Sequence, residues 1–280
     1  MVATAVRPGT STVDRSRALQ FGIAGGLLVI PLGQLWLSVI SGSRDLGIDW
    51  FMYRLAALEW MQTGSFYTPE QLAGPYVLLT WQPLYPPVVL PLLAVFAHLP
   101  DALWWIVPGG LYLAALYRMR PQGWWLPATV AVFVLTSGLY PWWYGQPTIW
   151  LFPAIAWGLL LGGWAVFVLL KPSLFPFALV GMHRRSWWLT LAAFVAVSVP
   201  FGTLWMDWYR ALDNSDQTVW YSLWQVPMLF VPIVAYLGRR RAISTPLSTT
   251  SAAPPVGLGR VAARLPSRLT RGTQVLGRHT

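Results

Sequence analysis

Long apolar runs separated by short polar segments dominate the chain. The first run, Leu19–Ile40, contains no charged residue and is long enough to cross the roughly 30 Å hydrocarbon core of a bilayer as one helix. Further runs of this kind predict additional spanning helices at Ala102–Tyr117, Trp124–Tyr140, Trp187–Trp205 and Val219–Leu237. The pattern therefore predicts an all-α, polytopic transmembrane helical protein.

Two stretches leave the number of spans open. Val88–Ala97 is apolar but short, so it either crosses as a short helix or lies at the outer surface. Thr148–Met182 is too long for one crossing, and its interior prolines predict half-helices or a re-entrant piece. The chain then has about six or eight spans. We favour the surface position for Val88–Ala97, because it keeps Arg118 and Arg120 on the cytoplasmic side.

The first outer loop, residues 41–101, holds five of the nine acidic residues of the protein. Within it, Trp50–Gln62 is typical of a short amphipathic helix, and Gly64 is its expected C-cap. We expect this juxtamembrane helix to lie on the membrane rather than in it. A lipid-embedded protein that keeps its carboxylates in one loop is expected to perform polar chemistry there.

Composition and charge support a membrane protein and exclude several other classes. Of the 280 residues, 56% are hydrophobic and 10% are charged, which is outside the range of a soluble domain. The formal net charge of +10 comes mainly from arginines beside apolar runs, a topogenic pattern that argues against nucleic-acid binding. The chain has no cysteine, so disulfides, thiol catalysis and cysteine-based metal sites are excluded.

The distribution of charge predicts three parts of the chain. Residues 1–17 form a disordered cytoplasmic tail, residues 18–240 form the transmembrane module, and residues 241–280 form a basic, disordered cytoplasmic tail. The terminal arginines keep both ends of the chain inside. We therefore expect a multi-pass protein of the plasma membrane.

Asp49 is the candidate catalytic residue. A carboxylate at the outer membrane face can act as the general base on the hydroxyl group of an acceptor. The alternative interpretation is that Asp49 only caps the helix that begins at Trp50. The two roles can coexist.

Lys171 is the only lysine in the protein and lies in the apolar sequence AVFVLLKPSLFPF. An ammonium group inside a membrane costs at least ~2.5 kcal/mol, so a buried Lys171 requires a partner or a bound anion. A phosphate is the natural anion for it. The alternative is that Lys171, just before Pro172, snorkels to an interface.

Three further side chains are candidates for substrate or phosphate binding. Arg54 follows Asp49 by about one helical turn, where it can hold the carboxylate ionised, contact a phosphate, or simply be solvated. Gln146, in a Gly-Gln-Pro sequence, can hydrogen-bond a sugar or serve only as a turn residue. Tyr53 fits a structural role. The sequence contains no HExxH, P-loop or dinucleotide motif and no carboxylate–histidine cluster, so we expect neither a metal nor another cofactor.

The order of several short motifs resembles glycosyltransferase family 87, whose members are C-type, integral-membrane mannosyltransferases that use polyprenyl-phosphate mannose. Over about residues 18–240 the matching motifs are Asp49-x-x-x-Tyr53, Gly64-x-x-Tyr67, Tyr85-Pro86-Pro87, Gly145-Gln146 and Leu170-Lys171-Pro172. The resemblance implies that Asp49 is the base, that Tyr53 and Tyr85 belong to the substrate-binding set, and that the region around Tyr85 forms juxtamembrane helices.

The implied reaction transfers a hexose, mannose by the resemblance, from a polyprenyl-phosphate donor to a lipid or glycan acceptor at the outer face of the bilayer. Asp49 would deprotonate the acceptor hydroxyl, which attacks the anomeric carbon with inversion as the lipid phosphate departs. The second hypothesis is a non-enzymatic polytopic membrane protein, either a transporter or an inactive or truncated relative that binds lipid phosphate. In a transporter, Lys171 would line a water-filled path at mid-membrane rather than face Asp49.

Overall fold

The computed structural model describes residues 11–42, 46–78, 82–216 and 222–239. Within these ranges the regular secondary structure is helical, with two isolated β-bridges and no strand. The α-helices are α1 Ser11–Ile40, α2 Ile48–Thr63, α3 Pro69–Ala73, α4 Leu90–Ala97, α5 Leu103–Met119, α6 Trp125–Leu135, α7 Tyr140–Tyr144, α8 Leu151–Leu161, α9 Arg185–Ser198, α10 Gly202–Asp213 and α11 Val231–Leu237. Short 3-10 helices lie between them at Pro87–Val89, Pro147–Trp150, Gly163–Leu170, Pro172–Leu179, Val199–Phe201, Leu223–Gln225 and Pro227–Phe230. The predicted all-α class is confirmed for this part of the chain.

Two helical segments are long and apolar enough to cross a membrane, Arg15–Leu37 within α1 and Arg185–Asp213, which combines α9 and α10. Only 11% and 6% of the residues in the most apolar stretch of each segment are buried inside the molecule, so most of their apolar side chains face outward. Surface of this kind is unfavourable in water. Two candidate spans in the described residues are fewer than the six or eight expected, because the other apolar helices are shorter.

The N-terminal part of the chain differs from the sequence prediction where the structure describes it. α1 begins at Ser11, so residues 11–17 are helical rather than a disordered tail. A helix propagates easily once it has formed, and arginine is a good helix former, so Arg15 and Arg17 extend the apolar helix. Residues 1–10 and 241–280, which make up the rest of the two predicted tails, lie outside the described residues.

The short helix predicted after α1 is confirmed as α2. Gly64 ends it in the left-handed conformation, with φ 78° and its N–H donating to the carbonyl of Trp60. The helix begins earlier than predicted, since its N-cap is Gly47, also left-handed with φ 75°, and Asp49 lies inside the first turn. The interpretation of Asp49 as the N-cap is therefore wrong, and its carboxylate makes other contacts.

α2 packs against α4 and α5 through an aromatic core. Trp50 stacks on Trp104 with ring centroids 4.2 Å apart, and Phe96 meets the edge of Trp104 at 5.5 Å. On another side of α2, Phe51 and Leu55 remain exposed. Exposed apolar side chains on one face fit a helix that lies on a membrane surface.

Two apolar runs end or continue differently from the sequence prediction. Trp124–Tyr140 was expected to cross the membrane as one helix, but α6 stops at Leu135 and is only about 16 Å long. The turn at residues 136–138 ends it, with the N–H of Gly138 donating to the carbonyl of Phe133. The polar stretch Met206–Thr218, between the last two predicted spans, predicts a loop, whereas α10 continues to Asp213 and buries Leu204 and Ala211 on its inner face.

The predicted interruptions of Thr148–Met182 are confirmed. After α8 the chain turns at Gly162, with φ 93°, and the 3-10 helix Gly163–Leu170 folds back against α8. A Cβ atom on Gly158 would lie only 2.6 Å from Cβ of Ala165, so this close approach requires glycine. Lys171 lies at the junction between this 3-10 helix and the next one, Pro172–Leu179.

Candidate functional site

The start of α2, which carries Asp49, is attached to the turn that follows α7. The backbone N–H of Gly47 donates to the carbonyl of Trp143 at 2.9 Å. The indole N–H of Trp104 on α5 donates to the carbonyl of Gly145 at 2.8 Å. These bonds join α2, α5 and α7 at one place, so the position of Asp49 relative to the turn is defined by backbone contacts.

Glycine is required at position 145 for two reasons. Its φ is 69°, in the left-handed region that residues with a side chain avoid. A Cβ atom there would lie 2.8 Å from Cβ of Trp50 and 2.8 Å from Cζ2 of Trp105. The turn therefore packs directly on α2, and the next side chain, Gln146, reaches Asp49.

Asp49 is almost fully buried, with 8% of its surface exposed. Burial raises the pKa of its carboxyl group, and this effect is partly offset by a hydrogen bond from the Gln146 side chain and by the charge of Lys171. A carboxylate with a raised pKa is a stronger base when ionised and therefore suits proton abstraction.

Lys171 is buried, with only 3% of its surface exposed, so the snorkelling interpretation is wrong. Its Nζ donates to Oε1 of Gln225 at 2.8 Å and to Oγ1 of Thr148 at 3.1 Å. The same nitrogen lies 5.3 Å from the centre of the Tyr85 ring, a cation–π distance. Thr148 and Gln225 thus supply hydrogen bonds to Lys171 inside the protein.

Two glutamine side chains connect Lys171 to Asp49. Nε2 of Gln225 donates to Oε1 of Gln146 at 3.1 Å. The ammonium can only donate, so Gln225 presents its oxygen to Lys171 and its nitrogen to Gln146. Gln146 then has its nitrogen left for the carboxylate of Asp49, in agreement with the lowering effect of its side chain on the pKa of that group. We call this series, Asp49–Gln146–Gln225–Lys171, the amide relay.

Thr148 and Gln225 were not among the residues predicted from the sequence. The hydroxyl of Thr148 donates to Oε1 of Gln225 at 3.0 Å, and both side chains are buried. Gln225 lies in an apolar run, where an amide requires a hydrogen-bonding partner just as a charge does. The criterion that selected Lys171, a polar group within an apolar run, would have identified Gln225 if it had been applied to uncharged side chains as well.

The structure also brings the predicted tyrosines together. The ring of Tyr53 meets the ring of Tyr85 edge-on, with centroids 5.3 Å apart. The hydroxyl of Tyr67 donates to the carbonyl of Tyr85 at 2.7 Å. Since Tyr85 contacts Lys171, three of the motif tyrosines lie in one group beside the amide relay.

Arg54 makes its contacts elsewhere. Its guanidinium pairs with Asp101 at 3.2 Å and donates from Nε to the carbonyl of Ala97 at 3.1 Å. Trp50 donates to the same Asp101 carboxylate at 2.9 Å. Residues five positions apart are about 140° apart around a helix. The expectation that Arg54 shares the face of Asp49 is therefore wrong. Its observed role is to attach α2 to the segment between α4 and α5.

An apolar groove of about 410 Å³ adjoins the relay. We refer to it as the apolar groove; its walls include Val88, Leu92, Trp150, Phe167, Leu170 and Phe194. Leu170 precedes Lys171 directly, and Trp150 follows Thr148 by two residues. The walls of the groove thus include close sequence neighbours of Lys171 and Thr148, although neither of these two side chains lines it.

Comparisons of the chain with protein-family models, with curated proteins and with solved structures find no match. The class of protein is therefore defined by its own fold and site. In the described residues it is all-helical, with outward-facing apolar helices and a buried relay from a carboxylate to an ammonium group. The resemblance to glycosyltransferase family 87 remains a prediction.

Proposed function

We propose that the protein is an integral-membrane glycosyltransferase that moves a hexose from a polyprenyl phosphate to a hydroxyl group of a lipid or glycan acceptor. The observation that carries the proposal is the amide relay, which links the base candidate Asp49 to the buried cation Lys171 beside an apolar groove. Mannose is the sugar that the motif resemblance suggests. Transfer takes place at the outer membrane face.

The membrane location is supported by the exposed apolar surface. Leu135 on α6 is 81% exposed and Leu189 on α9 is 72% exposed, although both belong to strongly apolar helices. Lipid would cover these side chains without the cost of exposing them to water. In this proposal α1, α5 and the segment α9–α10 are among the segments that cross the bilayer, both termini are cytoplasmic, and α2 lies at the outer surface.

The donor side of the proposed site is formed by Lys171 and the apolar groove. An isoprenoid chain matches a groove lined almost entirely by apolar side chains. A phosphate oxygen arriving from the groove competes with Thr148 and Gln225 for the ammonium hydrogens and, unlike them, neutralises the charge. Because Lys171 is 3% exposed, donor entry requires the side chains around it to move apart.

The reaction uses one base and needs no separate acid. The carboxylate of Asp49 accepts the proton of the acceptor hydroxyl while the oxygen forms a bond to the anomeric carbon. The bond from that carbon to the phosphate oxygen breaks, and its electron pair leaves on the lipid phosphate. Lys171 stabilises the departing anion electrostatically. Attack from the side opposite the phosphate inverts the anomeric configuration.

The experiment uses the full chain in nanodiscs with radiolabelled polyprenyl-phosphate mannose and octyl α-D-mannopyranoside as the probe acceptor. We expect transfer by the wild type, loss of at least about 100-fold in Asp49→Asn with donor binding retained, and weaker donor binding in Lys171→Met. Asp213→Asn, the same change on the exposed end of α10, is the matched control. Full transfer by Asp49→Asn would refute the proposal. So would the absence of transfer by every protein tested, the wild type included.

A lipid-phosphate-binding protein without catalysis is the second candidate, because Lys171 and the apolar groove do not require Asp49 in order to hold a donor. It predicts that the wild type binds the labelled lipid but forms no product. The same assay therefore separates the two functions.

A further inference from the structure

A second cleft, of about 500 Å³, lies between α1 and the segment formed by the end of α6 and α7. We refer to it as the α1–α7 cleft; its walls include Pro31, Gln34, Phe133, Ser137, Tyr140 and Tyr144. Unlike the apolar groove, it combines aromatic rings with an amide and hydroxyl groups. Pockets that orient a small ligand commonly have this mixture.

Gln34 brings an amide into a run that is otherwise suited to lipid. It lies on α1 in the charge-free run Leu19–Ile40, and its side chain is exposed at the cleft. The distance from Arg17 along the helix is about 25 Å, which places Gln34 near the end of α1 that leads to α2. An amide exposed to hydrocarbon is costly, so its position at a cleft favours a hydrogen-bonding ligand.

Tyr140 and Tyr144 form the aromatic wall of the cleft. Their ring centroids are 4.5 Å apart, and the ring of Trp224 meets Tyr140 edge-on at 5.1 Å. Tyr140 is nevertheless 39% exposed, so part of the ring faces the open cleft. A flat apolar surface next to amide and hydroxyl groups matches a sugar ring, which has apolar C–H faces and hydroxyl groups at its edge.

Ser137 has φ 53°, a left-handed conformation that is uncommon for a residue with a side chain. It lies in the turn between α6 and α7 and lines the cleft opposite α1. Strained backbone of this kind is concentrated at ligand-binding sites. The turn directs α7, and with it Tyr140, toward the cleft.

The same segment leads directly to Asp49. Trp143, which lines the cleft, accepts a hydrogen bond at 2.9 Å from the backbone N–H of Gly47, two residues before Asp49. Burial, and to a smaller extent Tyr144 and the charge of Asp49, raises the pKa of the Tyr140 phenol. The α1–α7 cleft thus adjoins the Asp49 end of the amide relay, while the apolar groove adjoins the Lys171 end.

We infer that the α1–α7 cleft binds a carbohydrate, with the sugar ring against Tyr140 and hydroxyl groups bonded to Gln34 and Ser137, and that this site presents the acceptor hydroxyl to Asp49. The acceptor role rests on the proposed function, whereas the binding of a carbohydrate does not. The two substrates then reach the relay from opposite ends.

The test measures binding to the full chain in nanodiscs by saturation-transfer difference NMR. The probe is octyl α-D-mannopyranoside, and tetraethylene glycol octyl ether, which has the same chain and no sugar, is the control ligand. We expect saturation of the sugar ring protons with the wild type, binding weakened roughly tenfold in Tyr140→Ala and several-fold in Gln34→Leu, and near-normal binding in Tyr140→Phe. Donor binding of each variant, measured in parallel, verifies that it is folded.

Matched controls come from the same helices or residue types. Gln20→Leu changes another glutamine of α1, and Tyr117→Ala removes an exposed tyrosine of α5; neither residue is among the residues that line the cleft, and both variants should bind like the wild type. The inference fails if the wild type binds the two ligands equally, or if Tyr140→Ala binds the sugar as well as Tyr117→Ala does. Sugar binding without any transfer would overturn the proposed function, and with it the acceptor role, but not the carbohydrate site. Transfer with an unchanged acceptor KM in Tyr140→Ala would overturn this inference alone.

Discussion

Gln225 donates a hydrogen bond to Gln146 across 3.1 Å and so joins two side chains 79 residues apart in the sequence. Each amide uses its other end for a charged group, Gln225 for Lys171 and Gln146 for Asp49. Two neutral side chains thus connect a buried cation to a buried anion. Since each of the two amides accepts at one end and donates at the other, removal of either amide leaves buried polar groups unsatisfied on both sides.

The first prediction concerns the stability that the relay provides. Gln225→Leu leaves Lys171 and Gln146 each without one hydrogen bond, and each unsatisfied buried group costs about 1–3 kcal/mol, or more for a charge. We expect a clear decrease in the thermal unfolding temperature of the purified protein, measured by tryptophan fluorescence. Gln122→Leu, at an exposed position between α5 and α6, should leave that temperature nearly unchanged. Equal unfolding temperatures for the two variants would show that the relay contributes nothing.

The second prediction is the pH dependence of transfer. The base is the ionised form of Asp49, and burial raises the pKa of this group above the ordinary aspartate value of about 3.9. As the pH falls through the raised pKa, the carboxylate takes up a proton and kcat/KM should decrease about tenfold per pH unit. The acidic limb should therefore lie at higher pH than an ordinary aspartate would give, and Asp213→Asn should not move it. A limb at the ordinary value would contradict the buried base.

The same shift predicts the sign of the effect on folding. A raised pKa means that the folded protein binds the proton more tightly than the unfolded chain does. The contribution of Asp49 to the free energy of unfolding is then greatest below its unfolded-state pKa and is lost as the pH rises through the folded-state pKa. Asp49→Asn should remove this dependence.

The sequence identified much of the site because charges in apolar surroundings are conspicuous. Asp49 and Lys171 could be selected on that ground, and Gln146 by its turn, and the structure connects all three. The sequence could not show that these three residues meet, because the contacts between α2, the turn after α7 and Lys171 depend on tertiary packing. Gln225 and Thr148 carry no charge, so the same criterion did not find them.

The errors in the fold have local physical causes. α6 ends early because residues 136–138 form a helix-terminating turn, a signal that the apolar composition of the run conceals. The part of α10 from Met206 onward was predicted as a loop because of its charges, although Asp207 and Arg210 are spaced as a helical pair and lie 3.7 Å apart. Arg54 was placed on the wrong face of α2, and its spacing of five residues from Asp49 already argued against a shared face.

The third prediction concerns topology and uses the absence of cysteine from the chain. Single cysteines can be introduced at exposed positions, Gln62→Cys at the end of α2 and Gln122→Cys between α5 and α6. In intact cells a membrane-impermeant maleimide should label Gln62→Cys and not Gln122→Cys, because the arginines near residue 122 are expected to stay inside. Permeabilised cells, in which both should react, provide the control. Labelling of both in intact cells would contradict the proposed orientation.

The fourth prediction compares two glycines. Alanine at position 145 must adopt φ 69° and would place Cβ 2.8 Å from Cβ of Trp50, so Gly145→Ala should push the turn away from α2 and destabilise the protein by about 1–3 kcal/mol. Gly110→Ala on α5 is the matched change, since a Cβ atom there meets nothing within 4 Å and alanine favours a helix by about 0.5–1 kcal/mol. Displacement of the turn also moves Gln146 from Asp49, so Gly145→Ala should lose transfer activity under conditions in which it remains folded, whereas Gly110→Ala should keep it. Thermal unfolding and the mannose-transfer assay measure the two effects separately. If Gly145→Ala is as stable and as active as Gly110→Ala, the close packing of this turn against α2 does not position the base.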